Sequence, residues 1–231
     1  FSIDPIHLNL QKHGLSFLVV DTNTPHALAH NGFAARRAAS ELCAQALGLT
    51  FLRDALPEDL SCAHHDEREA KEWRLELVDS SVNRSLTALE EREGPATFPR
   101  GWVRHAFHDM TLVGRASYLL KHADELGYRA FEEAGRIFTE SFISMRDELR
   151  VSRPEIDAAV EACLAHGALG ARIVGGGFGG AVMALVKTSR LEETAQAIAQ
   201  AYAEHGYAEP RFLPMVAGFP ADCDWLSENF R

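Results

Sequence analysis

Five of the 17 glycines of this chain fall within six positions, from Gly175 to Gly180. A backbone that lacks side chains at successive residues usually makes a turn with positive φ or lets another group approach closely. The spacing Gly175-x-Gly177-x-x-Gly180 also satisfies the fingerprint of dinucleotide-binding proteins. Close contact with a ligand or with a second segment is therefore the first property that this pattern suggests.

The context of these glycines argues against a dinucleotide site. In such sites the glycines open a helix, and an acidic residue follows about 20 positions later. Here the glycines precede the apolar run Ala181–Val186. The residue 20 positions after Gly180, where an acidic side chain would be required, is Gln200. A short apolar run bounded by polar residues predicts a buried strand. We therefore predict a hairpin whose glycine turn faces something bulky, although a tight hairpin without a ligand remains an alternative.

Two groups of residues resemble metal ligands. The segment 62–66, Cys-Ala-His-His-Asp, lies in a highly charged stretch that is typical of a solvated helix. On a later helix, His105, His108 and Asp109 do not share a clean ligand face. We predict no metal site from either group, and we interpret His108 and Asp109 as structural or interdomain residues.

The periodicity of apolar residues places these segments on a small set of elements. The predicted strands are Leu15–Asp21, Ala171–Val174, Ala181–Val186 and Arg211–Val216, and the predicted helices are Phe33–Leu47, Trp102 to about His122, Tyr128 to about Leu149, Glu155–His166 and Leu191–His205. This order predicts an α+β fold of the ferredoxin-like split βαβ type, an antiparallel sheet with helices on one face plus extra long helices. In the first helix the predicted apolar face, opposite Phe33, consists of Ala35, Ala38, Ala39, Leu42, Cys43, Ala46 and Leu47.

Four segments together resemble the galactokinases of the GHMP small-molecule kinase family. In chain order they are Val20-Asp21-Thr22-Asn23-x-x-His26-x-Leu28 with Phe33-Ala34-Ala35-Arg36-Arg37, then Arg104-His105, then Leu149-x-Val151-Ser152-x-Pro154-Glu155-x-Asp157, and finally Gly-Ala-Arg-x-x-Gly-Gly-Gly-Phe-Gly-Gly at 170–180. They occur in the order of the family. The resemblance implies the fold of the GHMP kinase carboxy-terminal domain over 1–218, with a helical insertion at about 55–150 and a tail at 219–231.

The resemblance also implies roles for particular residues. The glycine-rich motif, which consists of Gly175, Gly176, Gly177, Phe178, Gly179 and Gly180, would lie at the cleft between the two halves of the enzyme. Phe33 stands where the family has a tyrosine that touches the sugar, so it would line the sugar pocket without offering a hydroxyl. On sequence alone, packing of Phe33 against a neighbouring element is an equal alternative. No catalytic residue is assigned to this chain.

Several family motifs are absent from the sequence. It contains neither the serine-rich phosphate loop of the family, nor its Gly-Glu-His sugar motif, nor the segment with its catalytic aspartate. The resemblance therefore implies the carboxy-terminal part of a galactokinase, whose co-substrate Mg-ATP and sugar are held mainly by the missing amino-terminal domain. We expect this part alone to be inactive. Another GHMP sugar kinase, acting on galacturonate or N-acetylgalactosamine, and a non-catalytic sugar-sensing relative remain as alternatives.

Composition narrows the functional class. Of the 231 residues, 46% are hydrophobic and 24% are charged, and the net charge is −10 with scattered Lys and Arg. An acidic chain of this kind is not expected to bind nucleic acid or an anionic membrane. No apolar run approaches the ~20 residues of a membrane span, and no signal peptide is visible. Four widely spaced cysteines suggest reduced thiols, so we expect a cytoplasmic location. They are Cys43, Cys62, Cys163 and Cys223.

Overall fold

A computed structural model describes residues 6–25, 32–46, 48–55, 87–88, 90–92 and 100–215. Its main elements are β1 (Leu15–Asp21), α1 (Gly32–Ala46), α2 (Arg100–Lys121), α3 (Ala123–Leu126), α4 (Tyr128–Asp147), α5 (Pro154–Ala165), β2 (Gly170–Val174), β3 (Ala181–Lys187), α6 (Leu191–His205) and β4 (Arg211–Met215). The helices and strands predicted above are present, with ends that differ by at most two residues. The segment 62–66, Cys223 and the predicted tail 219–231 lie outside the described residues.

The four strands form one antiparallel sheet in the order β2-β3-β1-β4. Leu18 in β1 faces Ala184 of β3 on one side and Pro214 of β4 on the other. Proline cannot donate a ladder hydrogen bond, and it is tolerated here because β4 lies at an edge. With helices between β1 and β2 and between β3 and β4, this strand order is the split βαβ arrangement, so the predicted fold class is confirmed.

One face of the sheet carries the main hydrophobic core under α5 and α6. Alternate residues of the strands supply one half of it, namely Leu18, Val20, Ala171, Ile173, Val182, Ala184 and Val186. The helices supply the other half, including Ile156, Ala159, Val160, Cys163, Ile198 and Tyr202. The hydroxyl of Tyr202 is buried with its ring, and it donates a hydrogen bond of 2.5 Å to the carbonyl of Glu155. This bond satisfies a polar group that would otherwise be costly to bury.

Helix α4 packs against β2 through two glycines. Gly135 of α4 and Gly170 of β2 lie so close that a Cβ on either one would collide with backbone atoms of the other segment. The contact brings the backbones of a helix and a strand together where side chains would normally separate them. It fixes α4, and therefore the bend at residues 148–151 that follows α4, relative to the hairpin formed by β2 and β3.

Helix α1 packs on α2 with a face that agrees with the predicted one only in part. Ala39, Cys43 and Ala44 are buried in a cluster with residues of α2, whereas Ala35 and Ala38 are exposed. The predicted face is therefore confirmed at Ala39, Leu42 and Cys43, and it is wrong at Ala35 and Ala38 near the beginning of the helix. The physical reason is that an arginine, not an alanine, occupies the inward position there, as the next section describes.

The longest described helices, α2 and α4, have 22 and 20 residues and pack against each other. Both are amphipathic, with charged residues along their outer sides. None of the helices in the described ranges combines the length and the apolar composition that crossing a bilayer would require.

Candidate functional site

The glycine-rich motif forms the turn of the β2–β3 hairpin. Val174 of β2 pairs with Ala181 of β3, so residues 175–180 form the connection, as the sequence predicted. Positive φ angles occur at Gly175, Gly177, Gly179 and Gly180. Phe178 also has a positive φ, of 63°, in spite of its bulky side chain. A phenylalanine in this region is uncommon and requires the surrounding structure to hold it there.

One side of the turn packs against other segments of the same chain. A Cβ on Gly177 would lie 2.6 Å from both the Cβ and the carbonyl oxygen of Val151. A Cβ on Gly179 would lie 2.9 Å from the carbonyl oxygens of Thr24 and Pro25. These two glycines are therefore required by internal packing, whatever else the turn contacts.

The other side of the turn is open. Gly175 and Gly176 are exposed, and no atom lies within 4 Å of the position that a Cβ on Gly175 would occupy. The turn thus presents bare backbone to its surroundings at these two residues. Backbone N–H groups that are exposed in this way can approach a ligand or another polypeptide segment closely.

The residue that follows β1, Thr22, hydrogen-bonds to the last residue of the glycine turn. Thr22 is fully buried, and both its N–H and its hydroxyl donate hydrogen bonds to the carbonyl of Gly180, at 2.9 Å and 2.6 Å. The residue after it, Asn23, has a positive φ of 51°, and its N–H donates to the carboxylate of Asp21. The first and last segments of the family resemblance therefore meet at one contact, although 158 residues separate them in the sequence.

Arg36 of α1 connects the turn to two further segments. Its guanidinium lies 4.5 Å from the centre of the Trp102 ring and 4.8 Å from the centre of the Phe178 ring. Its Nε donates to the carbonyl of Leu149 at 2.7 Å, and one Nη donates to the carbonyl of Arg150 at 2.9 Å. Burial, followed by the charge of Arg150, lowers the pKa of Arg36. An arginine nevertheless keeps its charge in a protein.

Phe33 occupies the first turn of α1, one turn before Arg36. Its side chain lies outside the described residues, so its proposed contact with a sugar stays a prediction. Sequence reasoning assigned no role to Arg36, although this residue belongs to the recognised segment. The signal that could have found it is a long basic side chain on the inner side of an otherwise small-residue helix.

His105, His108 and Asp109 of α2 bond to α4 rather than to one another. His105 Nδ1 lies 3.0 Å from the hydroxyl of Ser144, and His108 Nε2 lies 2.8 Å from Glu140. The hydroxyl of Ser141 donates to Asp109 at 2.5 Å. Burial is the main cause that lowers the pKa of His105. These contacts fasten α2 to α4, which agrees with the structural role predicted for His108 and Asp109.

Magnesium is the ion that the implied co-substrate Mg-ATP would bring. No three His, Cys, Asp or Glu side chains within those ranges converge as a set of metal ligands. Phosphate-bound magnesium usually takes one or two carboxylates from the protein.

Comparison with known proteins gives a match to one protein family and to a solved structure. Residues 104–208 match the family described as "GHMP kinases C terminal". This part of the chain is therefore a C-terminal domain of the GHMP kinase type. The crystal structure of Lactococcus lactis galactokinase complexed with galactose has the same fold over 91% of this chain and 46% of its own, with a TM-score of 0.61 at 20% sequence identity.

Along most of its length the chain is similar to galactokinases. It is 33% identical over 211 residues to the galactokinase of Streptomyces coelicolor, covering 91% of this chain and 46% of the relative. It is 30% identical over 209 residues to that of Mycobacterium tuberculosis, covering 90% and 48%. The Bos taurus galactokinase is 33% identical over 208 residues, covering 90% and 44%. The chain thus spans about half the length of the curated relatives it matches.

Proposed function

We propose that this chain is the carboxy-terminal part of a cytoplasmic galactokinase, which transfers the γ-phosphoryl group of ATP to the 1-hydroxyl of galactose. The observation that carries the proposal is the contact between Thr22 and Gly180. It joins two segments that each resemble a galactokinase motif, and it does so at the turn that contains the exposed Gly175 and Gly176. Similarity to galactokinases along nine-tenths of the chain supports the same conclusion.

The proposed role of this chain is to form one wall of the cleft. Phosphoryl transfer is catalysed mainly by positioning and by electrostatic stabilisation, because charge spreads over the transferred oxygens. The bare backbone at Gly175 and Gly176 would let the phosphate-binding loop of the amino-terminal domain, or the sugar, approach closely. Phe33 would contribute an apolar wall beside the sugar. Phosphate binding and proton transfer would fall to residues of the amino-terminal domain, and so would any contact with magnesium.

Substitution of Gly176 tests this role. Gly176 is exposed and does not have a positive φ, so a side chain there adds bulk to the open side of the turn without the strain expected at its neighbours. In the intact protein we expect Gly176→Val to lower kcat/KM for galactose about ten- to a hundredfold, the effect of displacing a substrate by about 1 Å. The matched control is Ala203→Val, which adds similar bulk at an exposed position of α6.

This assay decides whether the glycine turn faces the cleft. If both variants remain folded and show equal kcat/KM, the turn does not face the reacting groups. Gly177→Val is a poor test, because the contact of Gly177 with Val151 would damage the fold first. We also expect residues 1–231 alone to make no galactose 1-phosphate, and turnover by this purified chain would refute that expectation.

A second candidate is a GHMP kinase for another sugar, such as galacturonate or N-acetylgalactosamine. The observation that favours it is Phe33, which lacks the hydroxyl of the tyrosine expected at this position. One lost hydrogen bond is worth about 0.5–1.5 kcal/mol, which is enough to weaken a preference but not to abolish binding. A panel of sugars, assayed with the intact protein and ATP, separates the two candidates. Binding of a sugar without phosphorylation of any would indicate a sugar-sensing relative instead.

A further inference from the structure

Two adjacent arginines of α1 have very different surroundings. The side chain of Arg37 is 75% exposed and forms only one described contact, an ion pair of 2.8 Å with Glu41 one turn along the helix. Arg36 is half-buried and contacts two aromatic rings and two backbone carbonyls. An exposed ion pair within a helix contributes little, whereas a planar guanidinium with fixed partners gives a defined geometry.

The two carbonyls belong to the bend that follows α4. Arg150 has a positive φ of 55°, so the backbone turns sharply there and cannot continue the hydrogen bonds of the helix. The guanidinium of Arg36 donates one hydrogen bond to each of two consecutive carbonyls, those of Leu149 and Arg150. The guanidinium therefore stabilises the bend in one conformation, because one rigid planar group is hydrogen-bonded to two consecutive carbonyls.

The same bend holds the glycine turn. The carbonyl of Val151 accepts a hydrogen bond of 2.7 Å from the N–H of Phe178, and Gly177 packs on the Val151 side chain. The ring of Phe178 in turn lies against the guanidinium of Arg36. Arg36 thus contacts the turn directly, through the ring, and indirectly, through the bend.

We propose that Arg36 is a positioning residue that holds the glycine turn in its strained conformation at a fixed place relative to α1. Arg36 acts on the turn at Phe178, the residue with a positive φ whose ring lies against the guanidinium. The consequence for catalysis rests on the proposed function, which puts the open side of the turn and Phe33 of α1 in one cleft. Lysine cannot replace Arg36, because a single ammonium group does not provide the planar fork that reaches both carbonyls and lies along both rings.

Amide hydrogen exchange in the intact protein tests the hold itself, without reference to any activity. In Arg36→Lys we expect the Phe178 amide to exchange at least about tenfold faster, which corresponds to about 1.4 kcal/mol. The amides of the paired strands β1 and β3 should keep their protection, which shows that the sheet is intact. Arg37→Lys is the matched control and should leave the turn unchanged. Equal protection of the Phe178 amide in all three proteins would overturn the proposal.

A second variant tests the same contact independently, in case Arg36→Lys does not fold. Phe178→Leu keeps an apolar side chain in the turn but removes the ring beneath the guanidinium. We expect faster exchange of the turn amides in this variant too, together with faster exchange at Val151 in the bend. Unchanged exchange in a folded Phe178→Leu protein would overturn the direct part of the hold.

Kinetics of the intact protein test the positioning role. At a temperature where all proteins are folded, we expect Arg36→Lys to lower kcat/KM for the sugar about tenfold or more, mainly through kcat. Ile198→Val, in the part of the main core that α6 supplies, serves as the destabilised control and should leave kcat/KM unchanged. A loosened turn with wild-type kinetics would overturn the positioning role. A wild-type protein that phosphorylates no sugar would instead refute the proposed function. In that case the exchange experiment would still show whether Arg36 keeps the glycine turn in place.

Discussion

The close packing of Gly177 predicts a large and specific loss of stability on substitution by alanine. The new Cβ would lie 2.6 Å from two atoms of Val151, a residue that is 1% exposed and enclosed in the main core. This is about 1 Å shorter than a favourable contact between carbon atoms. Overpacking of this kind costs about 1–3 kcal/mol. Left-handed backbone for a residue with a Cβ adds about 1–2 kcal/mol. We therefore expect Gly177→Ala to lower the free energy of unfolding by about 2–5 kcal/mol, a large part of the ~5–15 kcal/mol of a typical domain.

Urea unfolding of the intact protein measures this loss. With a slope of about 3 kcal/mol per molar urea, the midpoint should fall by about 1 M. The matched control is Gly175→Ala, because Gly175 has the same φ of 79° as Gly177 but no atom within 4 Å of its Cβ position. The control should lose only the backbone part, about 1–2 kcal/mol. Equal losses in the two single variants would refute the packing that we describe.

Two further predictions concern titratable groups. Because burial lowers the pKa of His105 below 6.5 in the folded state, the unfolded chain binds the proton first as the pH falls. The free energy of unfolding should therefore decrease from pH 6.5 downward. Urea titrations at several pH values should show a weaker decrease for His105→Gln. An identical decrease in both proteins would contradict this assignment. Burial also raises the pKa of the thiols of Cys43 and Cys163, to about 11 and about 12, so both should resist alkylation by iodoacetamide at pH 8 in the native protein and react once urea unfolds it. Rapid native labelling at either position, detected by mass spectrometry of the peptides, would contradict their burial.

Local sequence was sufficient for most of the fold. The strands around the glycine turn were predicted because their apolar residues are continuous and their ends carry glycine or polar residues. Helix α6 ends as predicted, at Gly206 in the left-handed conformation. These features depend on neighbours within a few positions. The segment that precedes α6 and the hairpin itself could therefore be read from the sequence with nearly correct boundaries.

The contacts that shape the candidate site could not be predicted in this way. Arg36 bonds to a carbonyl 113 residues away, and periodicity within α1 carries no information about that partner. Alanine is small enough to lie on either side of a helix, so Ala35 and Ala38 gave a misleading apolar face. The contact between Gly135 and Gly170 was also missed, because each glycine alone is compatible with an ordinary helix or strand. In all three cases the decisive interaction joins distant segments.

The structure also divides a glycine run that the sequence presents as uniform. Gly177 and Gly179 are small because other segments of this chain occupy the space beside them. Gly175 has a positive φ, which by itself favours glycine at an exposed turn. Gly176 is exposed and has no positive φ, so neither backbone conformation nor the contacts described for its neighbours accounts for a glycine there. A second surface that approaches the turn would account for it. This is why Gly176, rather than the central Gly177, is the residue at which the proposed cleft should be tested.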